Sequence, residues 1–368
     1  MAPVVVTSQT SNTQLKMTKL LFSVLACLLF SPRLLAWNAE GHMVVAQIAY
    51  NHLNPSVKVR CDNLIAVSMG TNSSSGTSNL VTAAVWADDF RTPLGTANWH
   101  FINYLLGLDS PTNGVAFATF DVVRAINTNI AVLQNNSATV SNQAAHLRYL
   151  LHFVGDIHQP LHCVAAISSV TPNGDAGGNG FGITGNWSNL HALWDEGGGY
   201  LSDFIARPLT STGQAILSNK VVAIETSYPY SPNPGTVPDP TTWAQEGLAA
   251  AQNVVYAGIV RSNTPSAGYL NTAQATAEAR LAYAGHRLAD LLNTIMAPSP
   301  IVLGSLTTTN GSFRFSWSSS PAVTYRVQTK SNLTDPTWGE ITSIIASSNV
   351  VSFSEALTDA RRFYRVVQ

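Results

Sequence analysis

The sequence predicts a mainly α-helical protein, one large helical domain followed by a small β-sandwich. Three observations carry that reading. Apolar residues recur at helical spacing in several segments between Trp37 and Met296. Period-2 alternation is scarce before residue 300. After Pro298 and Pro300 the composition turns to Ser, Thr and Val in short alternating runs.

The chain has 368 residues, 45% of them apolar, enough for a sizeable core and for two domains. Charged residues make up 11%, against about 25% in an average soluble protein. The net charge of −1 excludes a strongly basic groove that would hold nucleic acid by counterion release. Low charge with high apolar content also argues against disorder.

Residues 1–36 read as a signal peptide. Lys16 and Lys19 precede the apolar run Leu20–Phe30, and Ala36 supplies a small residue at the cut. Eleven residues are too few for the ~20 that span a bilayer. Met17 is a candidate start. Cleavage after Ala36 would remove Lys16, Lys19 and Arg33, leaving 16 basic and 20 acidic residues, a net of −4. The expected location is secreted or periplasmic. Export would permit a disulfide between Cys61 and Cys163, and two buried thiols fit equally. No C-x-x-C pair exists for a cysteine zinc site.

Residues 37–297 form the predicted helical domain. Segments 41–53, 117–134, 143–157, 241–261 and 271–296 carry the helical pattern, joined by Gly/Asn/Ser-rich connections such as 70–79 and 172–189. Residues 298–368 form the predicted accessory β-sandwich, with strand signals in SFRFSWS, TYRVQTK, VVSFSEA and RFYRVVQ. That tail contains no His and no Cys.

Chemistry concentrates in five strings of the helical half. They are Trp37-Asn-Ala-Glu-Gly-His42, Trp86-Ala-Asp88-Asp89-Phe-Arg91, Asn98-Trp99-His100-Phe101-Ile-Asn103, His152-Phe-Val-Gly-Asp156-Ile-His158-Gln-Pro160-Leu-His162 and His191-Ala-Leu-Trp194-Asp195. Two contain His and Asp four apart, His152/Asp156 and His191/Asp195. On a helix those side chains share a face. Imidazole nitrogen with carboxylate oxygen suits zinc. Pro160 should end the helix bearing His152 and let His162 swing to a neighbouring point. A single pair would read as an ordinary His–Asp hydrogen bond; five such strings together favour metal. H-E-x-x-H, G-x-S-x-G and the phosphate-cradling G-x-x-x-x-G-K-[ST] loop are all absent.

These strings, in this order, resemble the secreted, zinc-dependent, single-strand-specific nucleases of fungi, plants and bacteria, the nuclease/3′-nucleotidase family. The resemblance spans Trp37 to Met296 and includes GDAGGN at 174–179 and AGHRLADLLN at 285–294. It implies a phospholipase C-like helical fold and three Zn²⁺ per chain. Trp37, through its α-amino group and carbonyl oxygen, and His42 would hold one ion. Asp88, His100 and His152 would hold a second, with Asp156 bridging the two. His162, His191 and Asp195 would hold the third. Signal cleavage would then complete the site, because an amine inside a peptide bond cannot ligate. Arg91 matches a residue contacting the phosphate, making it catalytic with Asp88 and Asp156. Phe101 matches a base-stacking position. Asn103 stands where the fungal pattern has an aspartate that contacts the base.

The implied activity is endonucleolytic hydrolysis of single-stranded DNA and RNA to 5′-phosphate products, with 3′-nucleotidase activity, by a monomer with no membrane span and no protein partner. Two alternatives stay open: a zinc phospholipase C-type lipid phosphodiesterase, and a secreted non-catalytic binding protein. His52, His146, His158 and His286 match no ligand position. Trp86, Trp99 and Trp194 are expected to wall the site.

Overall fold

A computed structural model describes residues 37–110, 112, 120–232, 239–357 and 361–368. The segment read as a signal peptide lies outside them. Among the described residues no helix is long and apolar enough to cross a membrane.

The helices of the first part run in order α1 (Ala39–Asn51), α2 (Pro55–Ile65), α3 (Leu80–Ala83), α4 (Trp86–Leu94), α5 (Val122–Gln134), α6 (Val140–Asp156), α7 (Leu190–Asp195), α8 (Ser211–Ser227), α9 (Pro240–Ala250) and α10 (Ala267–Ile295). Their starts follow capping chemistry. The side chains of Asn38, Asp121, Thr139, Asn189 and Ser266 each accept a hydrogen bond from a first-turn backbone N–H, removing an orphan donor. The cap at Asp121 starts α5 five residues after the predicted start, leaving Phe120 to stack against Trp99. Residues 117–119 lie outside the described set.

α9 departs further from the sequence pattern. The α-helix ends at Ala250, and Ala251–Val255 form a π-helical turn instead of continuing to 261. The widened turn ends at Val255, whose carbonyl accepts the Tyr269 hydroxyl, so tertiary packing overrides the local pattern.

The 29-residue α10 is the spine of the helical half. It lies close against α1: a Cβ on Gly285 would sit 2.5 Å from Ile48, so only glycine allows this approach. α6 crosses the same core, and every residue from Leu147 to Asp156 is buried. The helix ends at Asp156, within one residue of the end of the 143–157 pattern and before Pro160; Pro160 opens a 3₁₀ turn, Pro160–Cys163, that presents His162.

One short sheet interrupts the helical half. β1 (Tyr104–Gly107) pairs in parallel with β2 (Val164–Ile167). The pairing is too short to show as alternation, yet it matters: β1 follows His100 and β2 follows His162. The Ile102 N–H also donates to the His162 carbonyl at 2.8 Å, so the two segments are clamped together. Cys61 and Cys163 are free, buried thiols, and burial pushes both up to about 12.

From Leu303 onward the chain forms two three-stranded antiparallel sheets, ordered β3-β4-β7 and β6-β5-β8. The strands are β3 (Leu303–Thr309), β4 (Ser312–Ser318), β5 (Thr324–Lys330), β6 (Gly339–Ile345), β7 (Val350–Ala356) and β8 (Phe363–Val367). Asn310 and Gly311 both have positive φ, the two-residue turn that matches strand twist in the β3–β4 hairpin. Phe315, Trp317, Tyr325, Val327 and Val351 from the two sheets share one core. The Arg60 guanidinium of α2 donates to the carbonyls of Met296 and Pro321, each at 3.0 Å. Asn63 donates to the Ala322 carbonyl at 2.7 Å. These bonds tie the strand-rich tail to the helical half.

Candidate metal centre and active site

Three helix ends and one turn converge on one buried cluster. α1 brings His42, α6 brings His152 and Asp156, α4 brings Asp88, and the turn before β1 brings His100. His42, His152 and Asp156 have no solvent-accessible surface. Asp156 lies at the centre. Its Oδ1 is 3.4 Å from His42 Nε2; its Oδ2 is 3.0 Å from His100 Nδ1 and 3.3 Å from His152 Nε2. Asp88 Oδ1 stands 3.6 Å from both His100 Nδ1 and His152 Nε2. The α6 pair thus shares a face as its i,i+4 spacing requires. A second group lies alongside, with His162 from the 3₁₀ turn and His191 and Asp195 from α7. His191 Nε2 is 3.4 Å from Asp195 Oδ2, and the His162 and His191 rings are 5.1 Å apart.

This donor set fits divalent metal. Two ligands on one tetrahedral zinc stand roughly 3.3 Å apart at ordinary bond lengths, and the separations above cluster around that value. Both nitrogens of His42, Asp88 Oδ1, both Asp156 oxygens, His100 Nε2 and His162 Nε2 are buried without a hydrogen-bond partner. Leaving so many polar atoms unsatisfied would be costly for a merely structural network. Among the described residues, His42–Asp88–His152, His100–His152–Asp156 and His162–His191–Asp195 each group donor atoms that can hold an ion.

Backbone carbonyls set the tautomers. His152 Nδ1–H donates to the Ala84 carbonyl at 2.6 Å, His162 Nδ1–H to the His100 carbonyl at 2.7 Å, and His191 Nδ1–H to the Gly177 carbonyl at 2.6 Å. Each bond orients its ring so that Nε2 faces the cluster, the usual outer support of a metal-binding imidazole. Gly177 belongs to GDAGGN. It has φ +62, and a Cβ there would meet the Leu161 carbonyl at 2.4 Å, so that string shapes a carbonyl for His191.

Charge follows burial. Burial lowers His42, aided by His152, and holds it as the neutral imidazole. Burial likewise lowers His162, to about 3. Burial opposes ionisation of Asp156, but the charge of His152 and the contacts from His100, His152 and His42 outweigh it and hold the carboxyl well below its usual range. Burial and neighbouring carboxylates push Asp195 well above its own, against a hydrogen bond from Gln159.

Trp37 is fully buried beside this cluster. Its indole N–H donates to the Gly155 carbonyl at 3.0 Å, and the Asn38 N–H donates to the Asp195 carbonyl at 3.2 Å. A Cβ on Gly155 would meet His42 Nδ1 at 2.8 Å, which explains glycine between His152 and Asp156. Arg91 reaches to 4.0 Å from Asp88. Its neighbour Asp89 is engaged elsewhere, accepting two hydrogen bonds from Arg207 at 2.6 and 3.1 Å. Phe101 and Asn103 are half-buried. Between them Ile102 packs on the main core, and the backbone at Phe101 is extended.

The flanking aromatics divide by role. Trp99 lies against Tyr149 and Phe153, whose ring edge meets His100 at 5.0 Å between centroids. Trp86 N–H donates to the Asn72 carbonyl and Trp194 N–H to the Tyr269 hydroxyl, so both are bonded outward into the scaffold. His158 is bonded on both nitrogens, to the Val154 carbonyl and to Arg287.

Gln159 was not singled out by the sequence. Its Nε2 donates to Asp195 Oδ1 at 2.7 Å while its Oε1 caps Leu161. Gln159→Leu is expected to weaken metal retention at the His162–His191–Asp195 group and lower turnover by about 10–100-fold, the usual effect of removing such a support. Titration of activity against free zinc checks it; an unchanged titration midpoint would remove Gln159 from the site.

A long buried helix ending in an Asp–His network, with further His/Asp groups around it, makes an arrangement of donors that could hold metal ions. A family model described as S1/P1 Nuclease matches residues 37–297, and the chain belongs to that family. It is 30% identical over 285 residues to Nuclease P1 of Penicillium citrinum and, equally, to Nuclease PA3 of a Penicillium species, covering 70% of this chain and 97% of each relative. It is 26% identical over 301 residues to Endonuclease 4 of Arabidopsis thaliana, covering 74% of this chain and 93% of that protein. The match stops at residue 297, where the strand-rich tail begins. The protein is therefore a hydrolase of the nuclease class.

Proposed function

We propose that this chain is a secreted zinc-dependent phosphodiesterase cutting single-stranded DNA and RNA to 5′-phosphate products, with 3′-nucleotidase activity. The observation that carries this is the contact of Asp156 with three imidazoles, His42, His100 and His152, beside the His162–His191–Asp195 group, in a chain of the S1/P1 nuclease family. Trp37 and His42 would hold one zinc, and Asp88, His100 and His152 a second, with Asp156 shared. His162, His191 and Asp195 would hold the third. Bound there, the ions would supply Lewis acidity: activation of water toward phosphorus and neutralisation of charge on the phosphate and its leaving oxygen.

The chain's own residues do the rest. Arg91, beside Asp88 and partly exposed, takes a phosphate oxygen and stabilises its developing charge. Phe101 stacks on a base, a contact worth about 1–3 kcal/mol and tolerant of sequence. Asn103, two residues on, both donates to and accepts from the base edge. A base in a duplex would first have to leave its stack, at a cost of a few kcal/mol. That cost predicts a preference of ~10²-fold for single strands. Residues 1–36 direct export, the working form is a monomer, and residues 298–368 are an accessory unit outside the catalytic domain.

The deciding experiment is a zinc count on purified, processed protein paired with turnover of single-stranded DNA, RNA, duplex DNA and phosphatidylcholine. The expected result is at least three zinc ions, filling the cluster's groups, and hydrolysis of the single strands. Lipid turnover without nucleic acid turnover would replace the reading with a lipid phosphodiesterase. Fewer than two zinc ions and no turnover would leave a binding protein.

A further inference from the structure

Outside the cluster, three helices bring together a fourth group of donors. His52 follows the last residue of α1, Glu225 stands in the last turn of α8, and His286 lies on α10. One donor atom from each lies within 4.8 Å of the other two. His286 Nε2 is 3.5 Å from Glu225 Oε1, close to the roughly 3.3 Å expected for two ligands sharing one tetrahedral zinc. His52 Nε2 contacts the same Glu225 oxygen directly. His286 Nε2 is buried and makes no hydrogen bond.

The surroundings hold these donors in place. Asn293 of α10 donates to the His52 carbonyl at 3.0 Å and accepts from the Asn54 N–H at 2.8 Å, pinning the turn that carries His52. Tyr230 stacks on the His52 ring at 3.9 Å and lies 5.1 Å from the His286 ring. Its hydroxyl donates to Asp290 at 2.6 Å, one turn along α10 from His286. The two imidazoles thus have fixed orientations, with the Glu225 carboxylate against both and the Asp290 carboxylate near His286. The side chains keep 13–25% exposure, enough for water to complete a coordination shell.

We propose that His52, Glu225 and His286 form an additional zinc site, separate from the catalytic cluster. Ten residues of α1 separate His52 from His42, about 15 Å along a helix. Two imidazoles and one carboxylate with an open position match the ligand preference of Zn²⁺. A metal there would link the C-terminal ends of α1 and α8 to α10. Its role is structural: a staple on the three helices that frame the core.

The site is tested by zinc stoichiometry, from equilibrium dialysis and metal analysis of the full chain after chelator stripping. Wild type should bind one equivalent more than His286→Gln and one more than Glu225→Gln, while single-strand nuclease turnover stays unchanged. The zinc-dependent rise in melting temperature should shrink in both variants. Equal stoichiometry in wild type and Glu225→Gln would overturn the proposal; that variant keeps side-chain size at the partly exposed end of α8, so it serves if His286→Gln fails to fold. Asp156→Asn separates the two centres: it should lose cluster zinc and retain the additional equivalent.

Discussion

Asp156→Asn is expected to lower turnover of single-stranded DNA by ~10³-fold or more, the scale of losing a main electrostatic element of a transition state, with the chain still folded. The carboxylate is buried at the end of α6, in contact with His42, His100 and His152. Burial alone would disfavour its charge, and the imidazoles around it outweigh burial. Asparagine keeps the shape but offers no charge to share between two cations, and its N–H₂ has no lone pair to give a metal. Zinc content should fall together with activity. Asp89→Asn, which only breaks the Arg207 pair, is the matched control and should retain both. Wild-type turnover in Asp156→Asn would contradict the shared-ligand role.

What the sequence disclosed follows from how local each signal is. His152/Asp156 and His191/Asp195 were legible because i and i+4 meet on any helix, and both pairs do meet, at 3.3 and 3.4 Å. The tail's two sheets were legible from the alternating runs, and Asn310-Gly311 proves to be the turn of the first hairpin. Helix ends were harder. Phe120 fits the helical period but is spent on Trp99, and the run after Ala250 is diverted into a π turn. The parallel β1–β2 pair was invisible because four-residue strands separated by 56 residues leave no pattern. The carbonyls of Ala84, His100 and Gly177 are backbone groups, which carry no sequence signature at all. The same limit hid the fourth donor group: 173 residues separate His52 from Glu225, and only the packing of α1, α8 and α10 joins them.

Low charge, at first an argument against a nucleic acid enzyme, takes a different meaning beside this geometry. Composition excludes a basic groove that would grip duplex phosphates. It does not exclude cations held by Asp88, Asp156 and Asp195, and three Zn²⁺ would carry a charge of about +6, two per ion, at one point. Positive potential would then be concentrated at the scissile phosphate and nearly absent elsewhere, so binding should depend on metal more than on ionic strength.

A chain bearing one extra residue before Trp37 is expected to lose most of its activity relative to one that begins at Trp37. Trp37 cannot shift to make room. Its ring is fully buried and held by the Gly155 carbonyl, one residue from Asp156. The next residue is fixed on three sides: the Asn38 N–H donates to Asp195, its side-chain amide donates to Leu201 at 2.6 Å, and its oxygen caps α1 by accepting from Gly41. The backbone nitrogen of Trp37 is therefore held between the segments that carry Asp156 and Asp195. As a free amine, with a pKa near 7.7–8.0, that nitrogen sheds its proton readily to a metal; as a peptide amide it has no lone pair to give. The extended chain should fold with the same helix content, bind fewer zinc ions, and recover activity when an aminopeptidase trims it to Trp37. Mass spectrometry of the N-terminus, zinc analysis and turnover on one preparation decide the matter. Full activity with the extra residue intact would show that the amine is not a ligand.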